Sequence, residues 1–373
     1  MPDVLFSQRS VRKALLSLDI QKSSGPDGIP PIVLRTCAPE LAPVLTRLFR
    51  YSYSQGIVPN SWKTAFVHPI PKKGDRSDPS NYRPIAITSL FSKIMESIIN
   101  CQLIRYLEDH QLISDRQYGF RRGRSVGDLL VYLTHRWAEA VESKGEALAV
   151  SLDIAKAFDR VWHKALLSKL PSYGLPEKLC NWITSFLADR SIKVVVDGAC
   201  SDYKPINAGV PQGCVLSPTL FLLHINDMLL TGNIHCYADD STALFVTNAS
   251  IAKATSRLSQ PANFLNNWLF EHGLSISPLK CSTMVFSRRR QTPEVSIYID
   301  NTLIPTENQV KFLGVILDNK MTGIPYLSYI ASKCEKNLNV IRSLSGAWWG
   351  TPTPKSFYTM PLLEVILTMA AFY

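Results

Sequence analysis

Apolar residues recur at helical spacing over residues 9–20, where Val11, Leu15, Leu16 and Leu18 line up. SSGPDGIPP (23–31) then breaks the pattern with a dense turn signal. A second helix is expected over 32–55, stopping at Gly56 before Pro59. TAFVHPIPKKGDRSDPSNYRPIAI (64–87) reads as two short strands around a polar, basic tip, an extended hairpin. Helices are predicted over 89–109 and 127–143, with the basic loop QYGFRRGRSV (117–126) between them. EALAVSL (146–152) is a buried strand that ends at Asp153 and runs on into helix. A helix over 176–189 and a strand over 192–197 follow.

GVPQGCVLSP (209–218) reads as a loop opening an apolar helix over 219–230. NIHCYADDSTALFVT (233–247) reads as a hairpin, and a long helix is expected over 251–272. Strands at 282–287 and 311–318 and helices at 325–345 and 355–373 complete the pattern. Helices near three or four antiparallel strands give an α+β fold. PLLEVILTMAAFY, the last segment, stops inside an apolar helical pattern without a cap, so the chain is expected to be a fragment.

Two carboxylates, Asp239 and Asp240, interrupt an otherwise apolar strand pattern in CYADDSTALF. Turn chemistry alone accounts for such a pair. Asp153 alone reads as a helix N-cap. Brought together at one sheet edge, the three would repel strongly unless a cation lay between them. Oxygen-only ligands suit Mg²⁺, with Mn²⁺ as its substitute, and the chemistry implied is phosphoryl or nucleotidyl transfer.

Lys and Arg outnumber Asp and Glu by 40 to 30, a net charge of +10, which favours a polyanionic partner such as nucleic acid. The eight Cys form no C-x-x-C pair, so no zinc knuckle or redox motif is encoded. Cys214 and Cys236 read as small core residues, and the thiols as those of an intracellular protein. No membrane span is expected.

SLDIAKAFDRVWH, GVPQGCVLSPTLFLLHIND and CYADD, in this order, resemble motifs A, B and C of reverse transcriptases. NYRPIAITSLFSKIMESII, QYGFRRGRSVGDLL, FLGVILD, KSSGPDGIP and GIVPNSWKTAFVHPIPKKG are similar to the jockey-like LINE branch, the non-LTR retrotransposons. The resemblance implies a right-hand polymerase fold of fingers and palm, with an antiparallel palm sheet backed by helices and a partial helical thumb. It divides the chain into an N-terminal helical extension (1–51), a reverse transcriptase domain (52–317) and the start of a thumb (318–373).

The same resemblance implies roles by position. Asp153 and Asp239 would hold two metal ions, with Asp240 as a third carboxylate and the Ile154 carbonyl as a further ligand. Phe158 would exclude the ribose 2′-hydroxyl, although an ordinary core aromatic also fits there. Gln212 and Gly213 would lie under the incoming nucleotide, and Arg83 and Lys72, beside Lys73, on its triphosphate. Tyr118, Phe120, Arg121, Arg122 and Arg124 would meet single-stranded template. Lys280, in GLSISPLK, would protonate the leaving pyrophosphate, or is a surface lysine. Phe312, Leu313 and Gly314 would steady the primer end, although Leu313 equally suits a core.

The expected function is RNA-directed DNA polymerase acting in target-primed reverse transcription. Its partners would be an RNA template, a DNA primer and target DNA, and dNTPs. The expected location is the nucleus, with a cytoplasmic ribonucleoprotein stage. Two alternatives stay open: an inactive RNA-binding relic of such an element, or a group II intron maturase-like protein. NKMTGIPYLSYI (319–330) departs from the family pattern in the thumb.

Overall fold

The computed structural model describes residues 1–72, 74–143, 145–230, 234–238, 241–248, 251–290, 295–299 and 302–344. The chain begins with α1 (Gln8–Leu16), α2 (Pro31–Thr36) and α3 (Ala38–Gln55), then β1 (Thr64–Pro71), β2 (Tyr82–Ile87), α4 (Leu90–Asp109) and α5 (Val126–Glu142). Next come β3 (Glu146–Leu152), α6 (His163–Lys169), α7 (Glu177–Leu187), β4 (Arg190–Val196), β5 (Ala199–Cys200), β6 (Lys204–Ile206) and α8 (Ser217–Ile225). β7 (Ile234–Tyr237), β8 (Ser241–Asn248), α9 (Ile251–Glu271) and β9 (Ser282–Phe286) follow. β10 (Ile297–Ile299), β11 (Thr302–Ile304), β12 (Gln309–Phe312), β13 (Val315–Asp318) and α10 (Ile324–Leu344) end the described chain.

The chain packs as two units, each built from separate segments: 1–120, 154–231 and 267–275 in the first, and 121–153, 232–266 and 276–373 in the second. In the first unit β2, β1, β4 and β5 lie in that order, with β6 also on β4. β1 and β2 form the predicted antiparallel hairpin, whereas β4 joins β1 in parallel, Thr64 opposite Ser191. The helices of this unit close over Phe6, Phe49, Tyr53 and Trp62, whose rings meet edge to face or tilted. The Trp182 indole stacks on Phe186 and donates to Ser52 Oγ, so its one polar atom is satisfied inside the core.

In the second unit β7, β8, β3 and β9 form a four-stranded antiparallel sheet. α5 covers it, stacking Trp137 on Phe286 at 4.5 Å. Ser125 and Asp128 start α5 with a reciprocal capping box. Asp318 is the buried end of β13, and it accepts from the backbone N–H groups of Lys320, Thr322 and Gly323 just ahead of α10.

Several expected elements differ. The first helix ends at Leu16, not 20, and the second is cut at Cys37 because Pro39 withholds an N–H and the ladder restarts. The chain does not run from Asp153 straight into helix. Lys156 has φ +50°, a short 3₁₀ turn covers Phe158–Arg160, and α-helix begins only at His163. The apolar helix after residue 219 tightens to 3₁₀ at Asn226. The expected single strand 311–318 is a hairpin, β12 to β13, with Leu313 and Gly314 at positive φ as its turn. The hairpin β10–β11 was not expected. The helix expected at 355–373 lies outside the described residues.

One core residue gives the first unit an acid-sensitive stability. His224 of α8 is fully buried, and neither ring nitrogen meets a hydrogen-bond partner among the described residues. Burial first, then the nearby Lys169 charge and His272, push its pKa from 6.5 to about 3, against an opposing pull from Asp227. The unfolded chain therefore binds a proton below pH 6.5 that the folded chain refuses, and the stability present above 6.5 falls away as the pH drops towards 3. Between pH 7 and 5 this residue alone should remove about 2 kcal/mol. Urea unfolding at the two pH values should show that loss, and a shallower one in His224→Leu.

Candidate polymerase site

Asp153 follows directly on β3, in the second unit. Its N–H donates to Cys281 Sγ, and its carbonyl accepts from the Ser277 N–H at 2.8 Å. The backbone is therefore held from the segment that precedes β9, while the carboxylate stays partly open. Lys280 Nζ lies 3.5 Å from that carboxylate, with the two side chains 68% and 31% exposed. So loose a pair adds about 0–1 kcal/mol, and the lysine is free to exchange partners. Burial raises the Cys281 thiol, which fits a packing role for it.

Strand register brings the hairpin β7–β8 to the same sheet end. Leu152, the last paired residue of β3, lies opposite Thr242, and Tyr237 lies opposite Ser241. Asp239 and Asp240 fall between these pairs in sequence, but both lie outside the described residues. Ala238, just before them, has φ +55°. Among the described residues no group of three or more His, Cys, Asp or Glu is placed to hold a metal. The Asp153 carboxylate, the one described at this sheet end, is an oxygen donor of the kind that suits a hard divalent cation.

The first unit carries the remaining nucleotide-side candidates. Ile154 is buried, and Phe158 is half-buried. The Phe158 ring stacks on Phe221 at 4.4 Å and meets Phe120 edge to face at 6.1 Å. The Phe158 carbonyl accepts from the Val210 N–H at 2.8 Å, which ties its backbone to the loop 209–216. Gln212 Nε2 donates to Asp159 Oδ1 at 2.8 Å, and Gln212 O accepts from the Ala86 N–H at 2.7 Å. Gly213 has φ +126°, and a Cβ there would run into the Ala86 carbonyl oxygen. His163 Nε2 sits 2.7 Å from the Gly209 carbonyl oxygen. The loop is thus held by β2 on one side and by residues 158–163 on the other.

Arg83 is exposed on β2 opposite Ile70, and Lys72 is exposed where β1 ends, its N–H donating to Asn81 O. Lys73 lies outside the described residues. At this tip Asp75 and Asp78 each accept from the serine two residues on, which holds both carboxyls below the usual range.

Two of the expected contact residues are buried. Tyr118 is 6% exposed and belongs to the core, leaving Phe120, 50% exposed at φ +56°, as the aromatic of that loop open to a base. Phe312 is buried too, because the β12–β13 turn points it inward beside Trp137, Met284 and Phe286, where a core role accounts for it. Leu313 and Gly314 form the turn itself, the first half-buried and the second exposed. Arg122 is exposed, and Arg121 and Arg124 are partly buried.

Sequence reasoning passed over Asp159, His163 and Glu96. Asp159 adjoins Phe158 and was legible only as a polar neighbour. Glu96 carried one signal, a carboxylate set among Met95, Ile98 and Ile99.

A family model for reverse transcriptase (RNA-dependent DNA polymerase) matches residues 70–317. The RNA-directed DNA polymerase from mobile element jockey of Drosophila melanogaster is 33% identical over 342 residues, 88% of this chain and 37% of that one. The probable RNA-directed DNA polymerase from transposon BS of the same organism is 29% identical over 89% of this chain and 38% of its own length. This chain thus spans well under half of those relatives. A solved telomerase structure from Candida tropicalis overlaps 74% of this chain and 47% of that one, at 13% identity and a TM-score of 0.48, too low to weigh here. Asp153 on the antiparallel sheet and the loop 209–216 both fall inside the matched span. The chain belongs to the reverse transcriptase (RNA-dependent DNA polymerase) family.

Proposed function

We propose that this chain is the polymerase part of a non-LTR retrotransposon protein, joining dNTPs to a primer 3′-hydroxyl on an RNA template. The observation that carries the reading is the register that sets Leu152 opposite Thr242 and Tyr237 opposite Ser241, which supports a meeting of Asp153 with the Asp239–Asp240 pair. Asp153 and Asp239, with the Ile154 carbonyl, would hold two Mg²⁺ ions. Bound divalent ions would activate the hydroxyl and neutralise charge on the leaving pyrophosphate.

The chain's own residues do the rest. Lys280, loosely paired with Asp153, would give a proton to the leaving group. Gln212, held by Asp159, forms the floor beneath the nucleotide. Phe158, its ring pinned on Phe221, presents a rigid edge to the sugar. Arg83 contacts the triphosphate with a guanidinium suited to bidentate pairing. Phe120 stacks on template, with Arg121, Arg122 and Arg124 on its phosphates. Leu313 and Gly314 steady the primer end. Target-primed synthesis on chromosomal DNA would place the protein in the nucleus.

Phe158→Ala should raise ribonucleotide use relative to dNTPs by at least about tenfold, since a missing wall admits the 2′-hydroxyl. An unchanged ratio would remove Phe158 as the gate. The reading itself is tested by primer extension on RNA with dNTPs and Mg²⁺, beside RNA binding. Binding without extension would favour an RNA-binding relic.

A further inference from the structure

Glu96 is a carboxylate buried completely within α4. Its Oε2 accepts from the Val215 N–H at 2.7 Å and the Leu216 N–H at 3.1 Å. Its Oε1 accepts from Ser92 Oγ at 2.8 Å. One helical turn on, Asn100 Oδ1 accepts from Thr219 Oγ1. Ser92, Glu96 and Asn100 thus form a polar stripe at a spacing of four on an otherwise apolar face, and two of its members meet the start of α8.

α8 has no side-chain cap of its own, since Leu216 occupies the N-cap position. The two N–H groups just ahead of it, those of Val215 and Leu216, are satisfied from an element about 120 residues away in sequence. A local Ser or Asp would cap a helix at far lower cost than a buried carboxylate. What the distant Glu adds is a fixed position for the chain just before the helix, namely Gln212, Gly213 and Cys214. The same segment is held at Ala86 and Thr88: Ala86 N–H reaches Gln212 O, and Thr88 Oγ1 lies 3.7 Å from Cys214 Sγ. Cys214 is a buried packing residue, its thiol pushed up to about 12 by burial and then by the Glu96 charge.

We infer that Glu96 is a positioning residue that sets the height of the loop Gln212–Cys214 beneath the incoming nucleotide. The inference rests on the polymerase reading above. It ties that loop to the same stretch of chain, β2 and the start of α4, that carries Arg83. The floor and the triphosphate contact then move as one piece.

The test is Glu96→Ala and Glu96→Gln in the full chain. Loss of the two accepted bonds should raise the KM for dNTP about tenfold in Glu96→Ala, with kcat changed less and template–primer affinity unchanged. Glu96→Gln keeps one acceptor oxygen and should restore most of that loss. A folded Glu96→Ala with wild-type KM for dNTP would overturn the inference. So would a loss that falls equally on kcat and on template–primer binding, the mark of a merely structural residue. If Glu96→Ala does not fold, a Glu96→Gln variant that also fails to hold dNTP would overturn it equally. Amide hydrogen exchange at Val215 and Leu216 reads the clamp without catalysis. Protection should fall at least about tenfold in Glu96→Ala and persist in Glu96→Gln. Unchanged protection defeats the clamp, whereas lost protection with an inactive wild type defeats only the polymerase reading.

Discussion

Asp153→Asn will extend a primer on an RNA template at least about a hundredfold more slowly than the wild-type chain, on the scale of losing one group that stabilises transition-state charge. The substitution keeps the shape of the side chain and removes the charge. Its carbonyl bond to Ser277 N–H and its N–H contact to Cys281 Sγ use only the backbone atoms of Asp153 and stay in place. The Lys280 pair that is lost is exposed and long, so stability should move by under about 1 kcal/mol. Thermal unfolding and single-turnover extension, measured on the same preparation, separate the two effects. Equal activity with equal stability would remove Asp153 from the chemistry.

Gly213→Ala should be the most damaging single-methyl change in the first unit. At φ +126° a side chain is strained whatever the space, and here the added carbon meets the Ala86 carbonyl oxygen, a backbone atom that cannot swing away. The expected cost is roughly 2–3 kcal/mol of stability or a displaced loop, and extension should fall at least about tenfold. Gly198→Ala is the matched control. Its φ is +82°, but nothing lies within 4 Å of the added carbon, so only the backbone term of about 1 kcal/mol applies. Chemical unfolding of both variants checks the difference. Equal losses would mean that the approach to Ala86 is not tight.

The local part of this architecture was legible in the chain. Alternation with a polar tip marked β1–β2, and the apolar run ending at Asp153 marked β3. The pairing of β3 with β8 follows from two such strands in one antiparallel sheet. What could not be read was non-local. Nothing at 64–67 announces a parallel partner at 191–194, since that contact is made by backbone and depends on where the intervening helices put the strand. The stretch after Asp153 has good helix formers, yet Lys156 adopts a left-handed conformation that delays the helix to His163. FLGVILD is apolar enough to pass for one strand, and only the positive φ at both Leu313 and Gly314 makes it a hairpin. That turn also decides that Phe312 faces inward.

The candidate site divides the same way. Motif residues such as Phe158 and Gln212 are marked by their neighbours in sequence. Asp159, which bonds Gln212, and Glu96, which bonds the backbone at 215–216, are polar positions whose importance lies in what they touch. The apolar neighbours of Glu96 hint at a buried charge, but nothing in the sequence names its partner, the backbone at 215–216. Tyr118 shows the reverse error, because an aromatic among arginines looks like a stacking platform until its burial is known.

The central claim is that Asp153 and the Asp239–Asp240 pair hold divalent cations for nucleotidyl transfer. It is tested most directly by extension of a DNA primer on an RNA template with dNTPs and Mg²⁺, comparing the wild-type chain with Asp239→Asn. Wild type should extend the primer, chelation of the metal should stop it, and Asp239→Asn should be slower by at least about a hundredfold while still binding RNA. Extension by Asp239→Asn at the wild-type rate would contradict the account.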